Sequence, residues 1–276
     1  MLDTPTDTAA AKRALVRTYA SHAYSDPWDA VEDYERVQAV SAKHPQKGSS
    51  ALSSLVDLPR SRIRGWVDDG GMPDPYRALQ TALSKGWIIE SWDDETAAGM
   101  NALAAWLCSS GSVNDHWTPA FVADTPGEIG LLKAAGRTAN VRLKQTRADS
   151  DRPAEWVPTE DANVLGRVLY TWTGVRGDKS PDIAQFPRYV QFAPEWVASD
   201  FAKVYVHQRA TVRHDRDGAL QIQEMRTDRY REQLVSLLER VVSNADDIRA
   251  ENWPVYIRGD AVDELRKRPS SAALEA

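Results

Sequence analysis

The sequence predicts an α+β protein, with a helical N-terminal part followed by a part in which helices and short strands alternate. Up to residue 92 the apolar residues recur at helical spacing, whereas short strand-like segments bounded by turn residues appear after residue 93. Two apolar helices rich in small residues, at 100–111 and 163–174, resemble each other. We therefore expect a helical domain over 1–92, a two-repeat domain over 93–267 and a disordered tail over 268–276.

Composition restricts the class of protein. The chain has 276 residues, of which 42% are hydrophobic and 27% charged, with a net charge of −6, as in soluble globular proteins. No apolar run has the length of a membrane span, and the first residues lack an apolar signal core. We expect a cytoplasmic protein without a membrane partner. Arginine and aspartate outnumber lysine and glutamate, a bias that fits a halophilic source or a GC-rich genome equally well.

Cysteine and histidine usage argues against a metal centre. The single cysteine, Cys108, excludes an internal disulfide and a cysteine-based zinc site. The five histidines show no spacing typical of metal ligands. We expect no metal and no cofactor.

The segment from Ser50 to Trp66 predicts a helix-turn-helix. A short helix with Leu52 and Val56 on its apolar side is followed by the turn Asp57-Leu58-Pro59. Proline at the start of the next helix, with arginines behind it, is typical of a helix N-terminus. The second helix of such a unit is narrow enough to enter the major groove of DNA. A small helical bundle with solvated arginines would give the same pattern.

The second helix of this unit carries most of the predicted DNA contacts. Ile63, Trp66 and Val67 form its inward stripe. The other sides carry the contact residues Arg60, Ser61, Arg62, Arg64 and Gly65. A glycine inside a helix costs about 1 kcal/mol relative to alanine. Close approach to DNA would explain Gly65, and so would a helix packed against it. Further phosphate contacts are expected from Arg167, Arg176 and Lys179.

Helices and strands alternate along the second region. The patterns predict helices over 96–111, 126–135, 161–180, 194–208, 230–243 and 260–267, and strands over 117–122, 139–145, 210–214, 219–226 and 254–258. Residues 146–160 are polar and proline-bearing, which is typical of a linker. We expect this linker to separate two halves of about 93–150 and 151–267.

The segment Leu103–Gly111, LAAWLCSSG, resembles the LAGLIDADG motif of homing endonucleases. The segment Gly166–Gly174, GRVLYTWTG, resembles a second, weaker copy. The resemblance covers roughly residues 95–266 and implies two αββαββα-type halves, with paired motif helices between them and sheets that form a saddle over duplex DNA. Ala104 and Gly166 would lie where the two helices approach. A helix-turn-helix joined to a degenerate LAGLIDADG domain is also similar to WhiA-type regulators, in which the two modules stand in the opposite order.

The sequence departs from the motif at the positions that carry its chemistry. Active members of the family place an acidic residue before the closing glycine, where it holds a divalent metal, but this chain has Ser110 and Thr173 there. Hydroxyl groups are poor substitutes for carboxylates at a hard cation. Asp115, Asp161 and Asp178 are nearby in sequence but out of register. The resemblance therefore implies a domain that binds DNA without catalysis, and not an enzyme.

Three functions remain open at this stage. The favoured one is a sequence-specific transcriptional regulator that binds double-stranded DNA, as a homodimer or together with other transcription proteins. An active homing-type endonuclease would need displaced carboxylates for its metal. A protein-interaction module would use the helical N-terminal part to recruit a partner protein instead of DNA.

Overall fold

The structure is a computed structural model that describes residues 1–20, 23–146, 154–177, 186–213, 218–251 and 253–269. In these ranges the chain forms twelve α-helices and two four-stranded antiparallel sheets, so the fold is α+β as the sequence predicts. None of the helices in the described ranges is both long and apolar enough to cross a membrane.

The N-terminal part is helical, and its elements are α1 (Thr8–Arg17), α2 (Pro27–Lys43), α3 (Ser49–Val56), α4 (Arg60–Val67) and α5 (Asp74–Ser84). Side-chain caps fix two of the starts: Asp7 accepts a hydrogen bond from the Ala10 amide, and Asp26 accepts one from the Trp28 amide. The first helix ends at Arg17, with Thr18 as its C-cap.

The first repeat contains α6 (Ala97–Ser109), β1 (Ser112–Val113), β2 (Pro119–Val122), α7 (Pro126–Thr138), β3 (Leu143–Thr146), β4 (Glu155–Pro158) and α8 (Ala162–Thr173). Its strands lie in the order β1-β2-β4-β3. A capping box between Thr125 and Glu128 begins α7.

The second repeat follows a short helix, α9 (Tyr189–Phe192). It contains α10 (Glu195–Arg209), β5 (Ala210–Val212), β6 (Leu220–Gln223), α11 (Asp228–Val241), β7 (Ile248–Ala250), β8 (Pro254–Ile257) and α12 (Gly259–Arg266), with a 3-10 turn at Ala245–Asp247. The strand order is β5-β6-β8-β7, which repeats the order of the first sheet. The unit αββαββα therefore occurs twice in the described chain.

Helix α6 lies at the centre of the main core and is buried along its whole length. It packs against α10, the first helix of the second repeat, and against α7. Asn101 is a polar contact inside this packing: its Nδ2 donates to the Val197 carbonyl over 2.9 Å, and its Oδ1 accepts from the Tyr189 hydroxyl over 2.9 Å. The indole of Trp106 donates to the carbonyl of Val122 over 2.7 Å and ties α6 to the first sheet.

The predicted division into halves is wrong. Strands β3 and β4, which the division at 150/151 separates, pair over four residues each. The predicted linker over 146–160 therefore contains β4, and the first repeat extends through α8. Proline misled the interpretation here, since Pro158 ends a strand whose alternate residue, Trp156, is buried. Residues 147–153 of the predicted linker lie outside the described residues, as do residues 270–276 of the predicted tail.

Candidate nucleic-acid interface

Helices α3 and α4 form the predicted helix and turn pair around a small core of their own. Asp57 ends α3 in the left-handed conformation (φ 52°), and Leu58 turns inward to join Leu52 and Ile63. The hydroxyl of Ser53 donates to the Leu58 carbonyl over 2.6 Å and holds the turn.

A second hydrogen-bonded contact closes the unit from the far end. The carboxylate of Asp68 accepts from the amide of Ser49 over 3.0 Å and from its hydroxyl over 2.6 Å. These hydrogen bonds hold the pKa of Asp68 below its ordinary value. The end of α4 is thereby tied to the start of α3, which fixes the two helices relative to each other.

The outer side of α4 is open. Arg60, Ser61 and Arg64 are exposed. A Cβ at Gly65 would meet no described atom within 4 Å, so close helix packing does not explain this glycine. Arg60 also reaches back, with its Nε 3.4 Å from the Ser49 hydroxyl.

Arg62 differs from its neighbours because it packs within the chain. Its guanidinium lies 4.6 Å from the centre of the Tyr24 ring, and its Nη2 donates to the Ala23 carbonyl over 3.4 Å. Burial, together with a hydrogen bond to Asp33, raises the pKa of Tyr24 to about 12. Arg62 therefore contacts the connection between α1 and α2.

Arg167 is not placed to contact DNA, contrary to the prediction. It is buried, and its Nη1 donates to the carbonyl and hydroxyl of Thr18, while its Nε donates to Asn163. Its guanidinium lies between the rings of Tyr19 and Trp117, at 3.8 and 4.3 Å from their centres. Burial lowers the pKa of Arg167. The residue joins α8 to the end of α1.

Two further predicted contacts have different outcomes. Arg176 is exposed, and its guanidinium lies 4.0 Å from the centre of the Trp117 ring, so this indole contacts two arginines. Lys179 lies outside the described residues.

No hydrogen bond joins the two predicted motif ends, Ser110 and Thr173, in the described part of the chain. Thr173 is buried at the end of α8, and its hydroxyl donates to the Leu169 carbonyl of its own helix over 2.8 Å. Gly166 faces the turn between β1 and β2, where a Cβ would stand 1.9 Å from the carbonyl oxygen of Trp117. Helices α6 and α8 do pack against each other, as predicted, but α8 closes the first repeat and is therefore not the repeated counterpart of α6.

The repeat order places α10 as the counterpart of α6, and the two helix ends meet directly. The hydroxyl of Ser110 donates to Oε1 of Gln208 over 2.7 Å. The Nε2 atom of Gln208 is shielded from solvent and has no hydrogen-bond partner among the described residues. Neither side chain is a carboxylate. No group of three or more histidine, cysteine, aspartate or glutamate residues in the described ranges is arranged to hold a metal.

A buried polar cluster adjoins these helix ends. Arg226 donates from Nη2 to the carbonyl of Cys108 over 2.7 Å and from Nη1 to the Tyr205 hydroxyl over 3.2 Å. Tyr205 donates to Oε2 of Glu224 over 2.5 Å, and Oε1 of Glu224 lies 3.5 Å from Nε of Arg226. Burial raises the pKa of Tyr205. The sequence interpretation missed this cluster because its members come from three separate elements.

The second sheet has an open face opposite its buried face. Leu220, Ile222, Val255 and Ile257 alternate along the two central strands and are buried. Cross-strand partners share a face of a sheet. The pairing register therefore places one row across the other face, formed by Thr211, Gln221, Tyr256 and Arg249.

Two more arginines lie on this face. The guanidiniums of Arg213 and Arg258 stand 4.8 and 5.7 Å from the centre of the Tyr256 ring. Arg209 lies at the other end of β5, where it donates to the Gln223 carbonyl over 3.0 Å. We call the set Arg209, Arg213, Arg249 and Arg258 the arginine face. The period-two pattern of residues 209–213 and 254–258 is a sequence signal for three of these four arginines, Arg209, Arg213 and Arg258.

Comparisons with known proteins do not assign these features to a family. No family model matches the chain, and no curated protein matches its sequence.

Proposed function

We propose that the protein is a DNA-binding transcriptional regulator and that its two-repeat domain is a degenerate, catalytically inactive relative of the LAGLIDADG fold. The arginine face is the observation that carries the proposal. It concentrates four cations on one side of a sheet in a chain whose net charge is −6. Such local positive charge is what phosphate contacts require.

The chemistry of these arginines favours an external anionic ligand. Within the described ranges, Arg249 and Arg258 form no ion pair with a carboxylate, and the Nε donors of Arg209 and Arg258 are buried without a partner. Phosphate and base-edge oxygens would accept hydrogen bonds from the exposed guanidinium of Arg249, and glutamine and tyrosine on the same face add neutral hydrogen-bonding groups.

The ends of α6 and α10 support a role without catalysis. The doubled αββαββα order and the contact between these two helices agree with the proposed kinship. At the point where two carboxylates would hold a metal, Ser110 and Gln208 instead bond to each other. Metal-assisted cleavage of DNA needs an ion to activate water and to stabilise the leaving oxygen, and this pair offers no negative charge to hold one.

The helix-turn-helix unit supplies a second contact in this proposal. Arg60, Ser61, Arg64 and Gly65 would face the major groove, while Arg62 stays against Tyr24. Arg167 is removed from the proposed interface, since its contacts lie within the chain. The arrangement would combine base contacts from α4 with contacts from the second sheet.

The experiment is a selection of duplexes from a random pool by the full chain, followed by affinity measurements with the selected duplex. We expect binding that is unchanged by Mg²⁺ beyond general screening, and no cleavage in Mg²⁺ or Mn²⁺. The variants Arg249→Gln/Arg258→Gln and Arg60→Gln/Arg64→Gln should each weaken binding. Arg229→Gln is the matched control, because this arginine is exposed on α11, away from the arginine face.

The alternatives give different results. Metal-dependent cleavage by the wild-type chain would support the endonuclease. Absence of binding to any duplex at moderate salt would refute the proposal and favour the protein-interaction module.

A further inference from the structure

A cleft with an apolar floor lies between α9 and α11 in the second repeat. Its volume is about 320 Å³. Phe186, Val190 and Leu237 form the floor, and each of them is at most 5% exposed. The rim is polar and carries one charge of each sign, on Glu232 and Arg240. The cleft is therefore an apolar depression with an electrically neutral rim, in a chain whose net charge is −6.

An exposed aromatic ring stands beside this cleft. Phe192 is the last residue of α9 and is 73% exposed. Its backbone is held on both sides, because Val190 is buried and the Arg240 guanidinium donates to the carbonyls of Gln191 and Ala193 over 2.6 and 3.3 Å. These two carbonyls flank Phe192 in the chain. A ring that is held in place before binding loses little conformational freedom when a partner buries it.

The outer side of α11 is complementary to itself in charge. Glu232, Ser236 and Arg240 are exposed and follow each other at intervals of four residues, so they lie on one side of the helix. Ser236 is the midpoint of this row. If two copies of α11 packed antiparallel about a two-fold axis at Ser236, Glu232 of each copy would face Arg240 of the other. The small serine would let the two helices approach closely at the axis.

The same two-fold axis relates the exposed ring to the cleft. Phe192 lies beside Arg240, at the C-terminal end of α11. In the second copy it would meet the opposite end of the cleft, near Glu232. Phe186 forms the floor at that end, since its ring centre is 5.2 Å from that of Tyr230 in the first turn of α11. Each Phe192 ring would therefore contact an aromatic floor.

We propose that two copies of this chain associate through the surface formed by α9 and α11, and that Phe192 of each copy enters the cleft of the other. A second copy fits this surface because the exposed ring, the cleft and the complementary charges all belong to one face of one chain, as an isologous interface requires. Helix α11 packs in the same apolar cluster as the buried face of the second sheet. The dimer would thus leave both arginine faces open, and the inference does not depend on DNA binding.

Sedimentation velocity of the full chain over a concentration series tests the proposal. We expect the wild type to form dimers with a dissociation constant on the order of 1 µM. Phe192→Ala should raise this constant at least about tenfold, because it removes the central buried ring. Glu232→Arg should do the same, because it places two pairs of like charges across the interface.

Matched controls change exposed side chains elsewhere. Met225→Ala removes an apolar side chain that is 63% exposed at the end of β6, and Asp263→Arg reverses an exposed charge on α12. Both variants should associate like the wild type. Since all four positions are exposed, each variant should fold, and this is checked by its melting temperature.

Cross-linking then locates the contact. Phe192 is replaced by the photoreactive p-benzoylphenylalanine, and isotopically labelled and unlabelled copies are mixed so that links between copies can be recognised. We expect links from position 192 of one copy to residues 229–240 of the other. A wild type that stays monomeric at 100-fold the expected constant, about 100 µM, would overturn the proposal. So would a dimer that Phe192→Ala and Glu232→Arg leave unchanged, or links between copies that lie only outside α9 and α11.

Discussion

The two repeats share one topology but present different open faces. In the second repeat, the open face of the sheet carries a polar row across the four strands, formed by Thr211, Gln221, Tyr256 and Arg249. The other members of the arginine face flank this row. The corresponding face of the first sheet is mostly small or aliphatic, and its members are Ser112, Ala120, Val122, Lys144, Thr146, Glu155 and Val157. Its strand residues include one lysine and one glutamate, and the exposed Arg142 lies at its edge, two residues before Lys144. The buried faces fix the fold, while the open faces are free to take up different chemistry.

The repeats also differ in their contacts with the N-terminal helices. The first repeat carries the N-terminal helices: the Leu2 amide donates to the Thr171 carbonyl over 2.7 Å, Arg167 bonds to Thr18, and Lys85 pairs with Glu160. We infer a division of labour, in which the first repeat is a scaffold for the helix-turn-helix unit and the second repeat supplies a charged contact surface.

The largest expected effect is on the free energy of unfolding, at Arg226, which joins the second repeat to α6 through the Cys108 carbonyl. Arg226→Gln should lower the free energy of unfolding by about 3–5 kcal/mol, because Glu224 would remain buried without its cation. Chemical denaturation measures this. Adding Glu224→Gln should recover part of the loss, since it removes the uncompensated charge. If Arg226→Gln left stability unchanged, the second repeat would not depend on this cluster.

A smaller loss of stability is expected from enlarging Gly166, which packs closely against the turn between β1 and β2. Gly166→Ala should destabilise by about 1–3 kcal/mol, because the added Cβ overlaps the Trp117 carbonyl. Gly130→Ala on α7 is the control. A Cβ there meets nothing described within 4 Å, and alanine should stabilise the helix by up to about 1 kcal/mol. Equal melting temperatures for the two variants would contradict the close packing of α8.

The smallest expected change separates stability from binding in α4. Gly65→Ala should raise the free energy of unfolding by about 0.5–1 kcal/mol, because the position is helical and open. If α4 lies close to DNA, the same methyl group should weaken binding to the selected duplex. A variant that is more stable and binds equally well would place Gly65 outside the interface.

Much of the fold could be predicted from the sequence, because apolar periodicity and turn residues are local signals. Helices α3 and α4, the turn between them and most later helices and strands lie where these signals place them. Strands β1 and β7 have only two and three residues, too few for a periodic pattern. The pairing of β3 with β4 was missed because register is a long-range property.

The site was harder to predict for the same reason. Small residues in 163–174 suggested a helix that packs on α6, and α8 does contact α6. Gly166, however, accommodates the β1–β2 turn and not the partner helix. The true counterpart, α10, has large residues such as Phe201 and Tyr205 and lacks the closing glycine. Arg167 looked like a surface cation, and only the three-dimensional packing of Tyr19 and Trp117 reveals its internal role.

The salt dependence of binding to the selected duplex tests the central claim, that the second repeat and not the first contacts DNA through its open face. The slope of log K against log salt counts neutralised phosphates. Arg249→Gln/Arg258→Gln should reduce the slope by up to about 2, or leave the slope unchanged and relax sequence preference where an arginine contacts a base. Lys144→Gln should do neither. A normal slope and preference in the double variant, or a loss confined to Lys144→Gln, would contradict the account.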